Sequence, residues 1–146
     1  MANRPDFVPP ERAYRHLITV APGDIDALGH ANNVVWVRWV NEAAIAHSNS
    51  VGLDHEMYVS LGVIWVVRRH DLEYLVPALE GELLDAFTWI ADLRGATSRR
   101  RTVIERDGRV LMRAETTWAL IDTGTGKPRR IPAEMLARYG FAAKSD

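Results

Sequence analysis

The chain contains no cysteine, and that absence removes disulfides, thiolate nucleophiles and cysteine-based zinc sites together. It fits a reducing compartment. An excess of one charge is missing as well: 18 Lys and Arg stand against 19 Asp and Glu, a formal net charge of -1, so no global field recruits nucleic acid or an anionic membrane. Any anion site must be local. Long apolar runs are lacking too. Pieces such as VIWVV at 63 to 67 fall far below the roughly 18 residues of a spanning helix, and MANRPDFVPPERAY has no apolar centre of the kind a signal peptide needs. The expected location is the cytoplasm, with neither nucleic acid nor membrane among the partners.

What is present is the composition of an ordinary globular domain. Of 146 residues, 47% are hydrophobic and 25% charged, with no repeat or low-complexity tract. A domain of that size buries roughly 68 to 70% of its unfolded surface, so 1 to 146 is expected to form a single domain. Residues 1 to 12, with three prolines and mixed charges, read as a lead-in.

Tyr14 to Ala21 has the Leu, Ile, Thr and Val content of a strand, broken by Pro22-Gly23. From Val34 to Ala46 apolar residues cover most of a helical circumference, leaving Arg38, Asn41 and Glu42 as a narrow polar stripe. Such a helix must be wrapped by other structure. Asn32 or Asn33 can cap its start by accepting a hydrogen bond from a first-turn N–H. After a polar, Gly-containing connection come four strand candidates, at 62 to 75, 82 to 94, 98 to 106 and 110 to 121. The last two flank Asp107-Gly108, a strong hairpin signal, and the short connections favour antiparallel neighbours. The implied class is α+β: an antiparallel sheet of about five strands wrapped around one long central helix. A short C-terminal helix opens near Pro132 and stops at Gly140.

The reactive residues crowd into DIDALGHANN, 24 to 33, just before the central helix. A helix N-terminus favours negative charge, so an acyl carbonyl docked there would be polarised, and a carboxylate upstream could attack it or deprotonate a water. A lone aspartate is a weak base, which suits a thioester: its thiol, with a pKa near 8.5, departs without an acid to protonate it.

Asp24-Ile25-Asp26-Ala27-Leu28-Gly29-His30-Ala31-Asn32-Asn33 resembles the D-x-D-x-x-G-H-x-N-N signature of hotdog-fold acyl-CoA thioesterases of the 4-hydroxybenzoyl-CoA thioesterase type. The resemblance runs over roughly 13 to 135 and ends in a Gly-x-Pro-x-x-Ile-Pro tail at 126 to 132. It implies the hotdog fold, hydrolysis of an acyl-CoA substrate, and a site between two subunits of a homodimer or homotetramer. It also implies that Asp26 is the catalytic base or nucleophile, grouped with His30 and Asn33, and that Gly29 and Trp36 line the oxyanion site. No cofactor is expected beyond the CoA of the substrate, and no metal. Ile25 stands where the family often has Thr or Cys, and Trp36 where Tyr is common, which leaves the acyl preference open.

RGATSRRR, 94 to 101, holds four arginines and no acid, a local phosphate-grade patch. The family places CoA-binding residues at this inter-strand position; Arg94 corresponds best, with Thr97, Ser98, Arg99 and Arg100 as further candidates. On a strand Arg99 and Arg100 face opposite ways. Set against these are plainer readings: Asp24 as a structural acid, Glu42 paired with Arg38 four residues before it, the arginines as a solvated edge, and the tryptophans as packing. Competing functions are a non-catalytic acyl-CoA or acyl-carrier binder and an enoyl-CoA hydratase. A metal hydrolase on Asp24, Asp26 and His30 lacks evident further ligands.

Overall fold

The computed structural model describes residues 4 to 141; the first three residues of the expected lead-in and the last five of the expected domain lie outside them. Five strands form one antiparallel sheet: β1 (Tyr14–Thr19), β2 (Val63–Tyr74), β3 (Leu83–Arg94), β4 (Thr97–Arg106) and β5 (Arg109–Asp122), in the order β1-β3-β4-β5-β2. The helix α1 (Asn33–Ser50) packs against one face, and α2 (His55–Leu61) and α3 (Ala133–Arg138) close the far end. This is the α+β architecture expected from the sequence. Among the described residues no helix is long and apolar enough to cross a membrane.

The main core is where α1 meets the sheet: Trp36, Trp39, Val40 and Ala43 pack against Ile18, Leu84, Ala86, Ile104, Met112 and Ala114. Small residues on the strands admit the tryptophans; Ala86 and Ala114 have almost no exposed surface. At roughly 25 cal/mol per Å² of apolar area removed from water, this burial is the main force holding helix to sheet. The β4–β5 hairpin turns on Asp107 and Gly108, both at positive φ (50° and 81°), the conformation that a two-residue turn demands and that Asp-Gly tolerates.

The structure corrects three expectations. Helix α1 runs to Ser50 rather than Ala46, because Ser48 is drawn inward, its hydroxyl donating to the Leu53 carbonyl at 2.6 Å. The connection after it contains α2, started by the Asp54 carboxylate accepting from Met57 N at 2.9 Å and ended by Gly62 at φ 69°; that is an ordinary N-cap and C-cap pair. The lead-in is also structured. Pro5–Phe7 forms a 3-10 turn that packs Phe7 onto Trp89 and Val103 on the outer face of the sheet.

The wrapping of α1 is incomplete in one chain. Val34 and Ile45 are 74% and 56% exposed, and β2 lies at the open edge of the sheet with Ile64, Val67 and Tyr74 also exposed.

Candidate active site at the two ends of the central helix

Asp24 and Asp26, two residues apart, have different environments. Asp24 is 5% exposed; its carboxylate accepts from Ala21 N at 2.9 Å and from the Arg38 guanidinium at 2.8 Å. Burial pushes its pKa up, but those hydrogen bonds outweigh burial and hold it below the usual carboxylate range. Arg38 also reaches Glu42 at 3.2 Å, so Asp24, Arg38 and Glu42 form a structural network that ties the loop to α1.

Asp26 is half-buried. Its Oδ1 accepts from the amides of Leu28 (2.9 Å) and His30 (3.3 Å), while its own amide donates to the His30 carbonyl at 2.8 Å. The turn needs Gly29, which sits at φ 82° with open space where a Cβ would be. Backbone geometry, not crowding, is what a side chain there would violate. The second oxygen, Oδ2, makes no hydrogen bond among the described residues.

Asn32, not Asn33, caps α1, its Oδ1 accepting from Val34 N at 3.0 Å. Asn33 is the first helical residue and exposed, as is His30. Of the amides from Leu28 to Val35, those of Leu28 and His30 go to Asp26 Oδ1 and that of Gly29 to the Asp26 carbonyl. Those of Ala31, Asn32 and Val35 go to other carbonyls and that of Val34 to the cap. The Asn33 amide alone makes no hydrogen bond among the described residues. The Gly29 amide is thus occupied within the turn, and the open amide of the helix start is that of Asn33. Trp36 is 3% exposed and meets Trp39 and Tyr74 edge-on, with ring centroids 4.9 and 6.3 Å away; it is packed in the main core.

The arginine cluster divides across the sheet. Arg94 is exposed beside the β3–β4 turn. Thr97 and Arg99 share the outer face, where Arg99 pairs with Asp92 through Nε at 2.9 Å and approaches Glu115 at 3.7 Å. Ser98 and Arg100 point to the α1 side and are 3% and 4% exposed. The five candidates are thus not brought to one ligand.

Ser98 and Arg100 instead help line a cavity of about 450 Å³ at the C-terminal end of α1. Ala44, Ser48, Ile90, Trp118 and Tyr139 belong to it as well, with Ile45, Asn49, His55 and Ile64 exposed around it. The register explains the assembly: Arg100 lies opposite Ile90 on one side and Thr116 on the other, and Ser98 opposite Trp118. Arg100 donates to His47 Nδ1 at 2.9 Å and to Thr88 Oγ1 at 3.1 Å. Burial, aided by the charges of Arg100 and Arg12, pushes His47 down to about 4, so the imidazole is neutral and its Nδ1 accepts. Burial also raises the Tyr58 hydroxyl, which bonds Ser48 and stays protonated. Fifteen residues of helix separate Asn33 from Ser48, about 22 Å at 1.5 Å per residue; Asp26 does not reach this cavity within its own chain.

This chain, a sheet folded around one long helix, matches known proteins over most of its length. Residues 20 to 139 match the family model of the thioesterase-like superfamily. The chain belongs to that family.

The curated relatives include the acyl-CoA thioester hydrolase YbgC of Escherichia coli, 25% identical over 130 residues, covering 86% of this chain and 95% of that one. Among solved structures, a probable thioesterase from Bartonella henselae superposes with a TM-score of 0.77 at 25% identity, covering 82% of this chain and 99% of that one. A thioesterase from Thermus thermophilus, complexed with coenzyme A and Zn, gives 0.76 at 21%, covering 88% and 91%. The hotdog thioesterase class inferred from the signature is thereby established. Among the described residues no group of three or more His, Asp or Glu stands close enough to hold a metal.

Sequence reasoning missed the cavity. Its lining comes from α1, α2, the residue that ends α3, and β2 to β5, and no local spacing joins Ser48, Arg100, Trp118 and Tyr139. Strand alternation puts Arg100 on the same face as Ser98, Thr102 and Ile104, but nothing local distinguishes it from the other arginines of the basic run.

Proposed function

We propose that the protein hydrolyses acyl-CoA thioesters at a site completed by two copies of the chain, with Asp26 as base or nucleophile. The supporting observation is the geometry at the start of α1, where one carboxylate oxygen of Asp26 is tied by two loop amides, the other makes no hydrogen bond among the described residues, and the first helical amide, Asn33, is open. Fixing one oxygen orients the other, which is the positioning that acid–base chemistry requires. A thioester carbonyl polarised by the Asn33 amide and the helix dipole is attacked by water, whose proton passes to Asp26. The new C–O bond replaces the C–S bond, and CoA leaves as a thiolate that takes up the proton. Attack by Asp26 itself gives a mixed anhydride that water then opens, with the same products. His30 and Gly29 hold the turn, and Arg94 and Thr97 are positioned to meet CoA phosphates at the surface.

Two copies are invoked because the edge strand β2 and the exposed Val34, Ile45, Ile64 and Val67 leave an unsatisfied, partly apolar face, of the kind that self-association covers. Antiparallel pairing of two chains would bring the tip of one α1 toward the cavity end of the other. No cofactor is required beyond the CoA of the substrate.

The test is thiol release from a panel of acyl-CoAs. Asp26→Asn keeps the oxygen that accepts from Leu28 and His30 but removes the base, and turnover is expected to fall by about 10²- to 10⁴-fold with acyl-CoA binding retained. Unchanged turnover in that variant would refute the assignment.

A further inference from the structure

Arg100 is an anomaly among the buried residues. It is 4% exposed, and among the described residues no carboxylate pairs with it, although every other arginine on β4 has one: Arg99 pairs with Asp92, Arg101 with Glu115, Arg106 with Glu82. A buried guanidinium is ordinarily paired, because removing its charge from water without an opposing charge is costly. Of the five N–H donors that a guanidinium carries, the hydrogen bonds among the described residues use only those on one terminal nitrogen, and both acceptors, His47 Nδ1 and Thr88 Oγ1, are neutral.

A second donor nearby is also unsatisfied. The indole Nε1–H of Trp118 is buried without a hydrogen-bond partner, and Trp118 lines the same cavity as Arg100. Buried orphan donors are rare in native proteins, and each calls for an explanation; the open donors of Arg100 on the same cavity supply the context for this one. The remaining walls are apolar or aromatic: Ala44, Ile45, Ile64, Trp65 and Ile90. Exposed residues (Ile45, Asn49, His55, Ile64) stand at the rim and buried ones (Ile90, Ser98, Arg100) at the floor. A ligand entering there meets a greasy shaft and then a cation.

We propose that this cavity is the acyl pocket and that it selects acyl groups bearing a carboxylate at the end remote from the thioester, gripped by Arg100 with help from the Trp118 indole N–H. This rests on the reading of the protein as an acyl-CoA hydrolase with a shared site, and it names the substrate class that the reading left open. A planar guanidinium matches a carboxylate through two parallel hydrogen bonds. The apolar walls bind the chain between the two ends, and the volume suits a medium-length aliphatic or single-ring acyl group. An acyl group ending in a methyl would leave the guanidinium and the indole N–H unpaired, which is the strongest form of discrimination a buried polar site has.

The test compares matched substrates. Adipyl-CoA and hexanoyl-CoA differ only in the terminal group, as do 4-carboxybenzoyl-CoA and 4-methylbenzoyl-CoA. The carboxylated member is expected to have the higher kcat/KM by roughly tenfold to hundredfold. Arg100→Met should erase or invert that preference, and Trp118→Phe, which keeps the ring, should reduce it by a few fold. Inhibition by free CoA is measured beside them. If Arg100 instead serves the CoA phosphates, Arg100→Met weakens free CoA and slows both members of each pair alike, which overturns the proposal. Equal rates for the two members in the unmodified protein overturn it as well, whether or not Arg100→Met folds. If no thioester turns over at all, the catalytic reading fails, and the pocket is judged separately by calorimetric binding to Asp26→Asn protein. Tighter adipyl-CoA than hexanoyl-CoA then sustains the pocket, and equal affinity removes it.

Discussion

The two ends of α1 carry charged groups in opposite settings. At the N-terminal end, an acid is half-open to solvent, fixed by amides within four residues of itself, and encoded in a contiguous ten-residue stretch. At the C-terminal end, a cation is buried, held by side chains 12 and 53 positions away, and supplied by a strand whose neighbours are also arginines. Reactive groups that depend on short-range hydrogen bonds are portable as motifs. Recognition groups that depend on burial belong to the packing around them. A helix of about 27 Å separates the two groups within one chain.

Three measurements bear on that contrast, apart from those already described. The largest effect is expected at Asp24. Asp24→Ala strips the Ala21 amide and Arg38 of their acceptor, and because Arg38 is half-exposed and can rehydrate, the cost should be about 2–3 kcal/mol rather than the higher figure for a fully buried pair. A chemical-denaturation midpoint that barely moves would show that the N-terminal loop is held by its turn alone.

The next concerns His47 at the opposite end. Its imidazole titrates near 6.5 when unfolded and near 4 when folded, so between those values the unfolded chain binds more protons. Stability is therefore fully present above pH 6.5 and declines as pH falls toward 4. With the ring partly open to solvent, this contribution is about 1–2 kcal/mol. Urea unfolding at pH about 7 and about 4.5 should reveal it, and His47→Gln should flatten that part of the slope; an identical slope in the variant would assign the acid sensitivity elsewhere.

The smallest effect is expected at Arg99. It lies on the outer face, paired with Asp92 and Glu115, so Arg99→Ala should change stability by less than about 1 kcal/mol and KM for acyl-CoA by less than about twofold. A tenfold rise in KM would place a CoA phosphate on the outer face and redraw the division of the arginine cluster.

Much of the fold was legible because its signals are local. Asp107-Gly108 fixed one hairpin, and the apolar run after Asn32 announced a buried helix. The short helix α2 escaped because its seven residues bury no stripe; only the Asp54 cap and Gly62 stop bracket it. The tip of α1 was half legible. The signature located Asp26 and Gly29, but both Asn32 and Asn33 could cap the helix on sequence alone, and only the fold shows that Asn32 does so and that the Asn33 amide is left open.

By itself the sequence determined the strand alternation, the turns, the capped helix and the acid that precedes it, all of which follow from interactions spanning a few residues. Tertiary structure decided which arginine is buried and which is merely a surface charge. Strand alternation says that Arg99 and Arg100 face opposite ways, but only the packing of α1, α2 and α3 over one face makes that face dry, and desolvation is what turns a common cation into a demand for an anion.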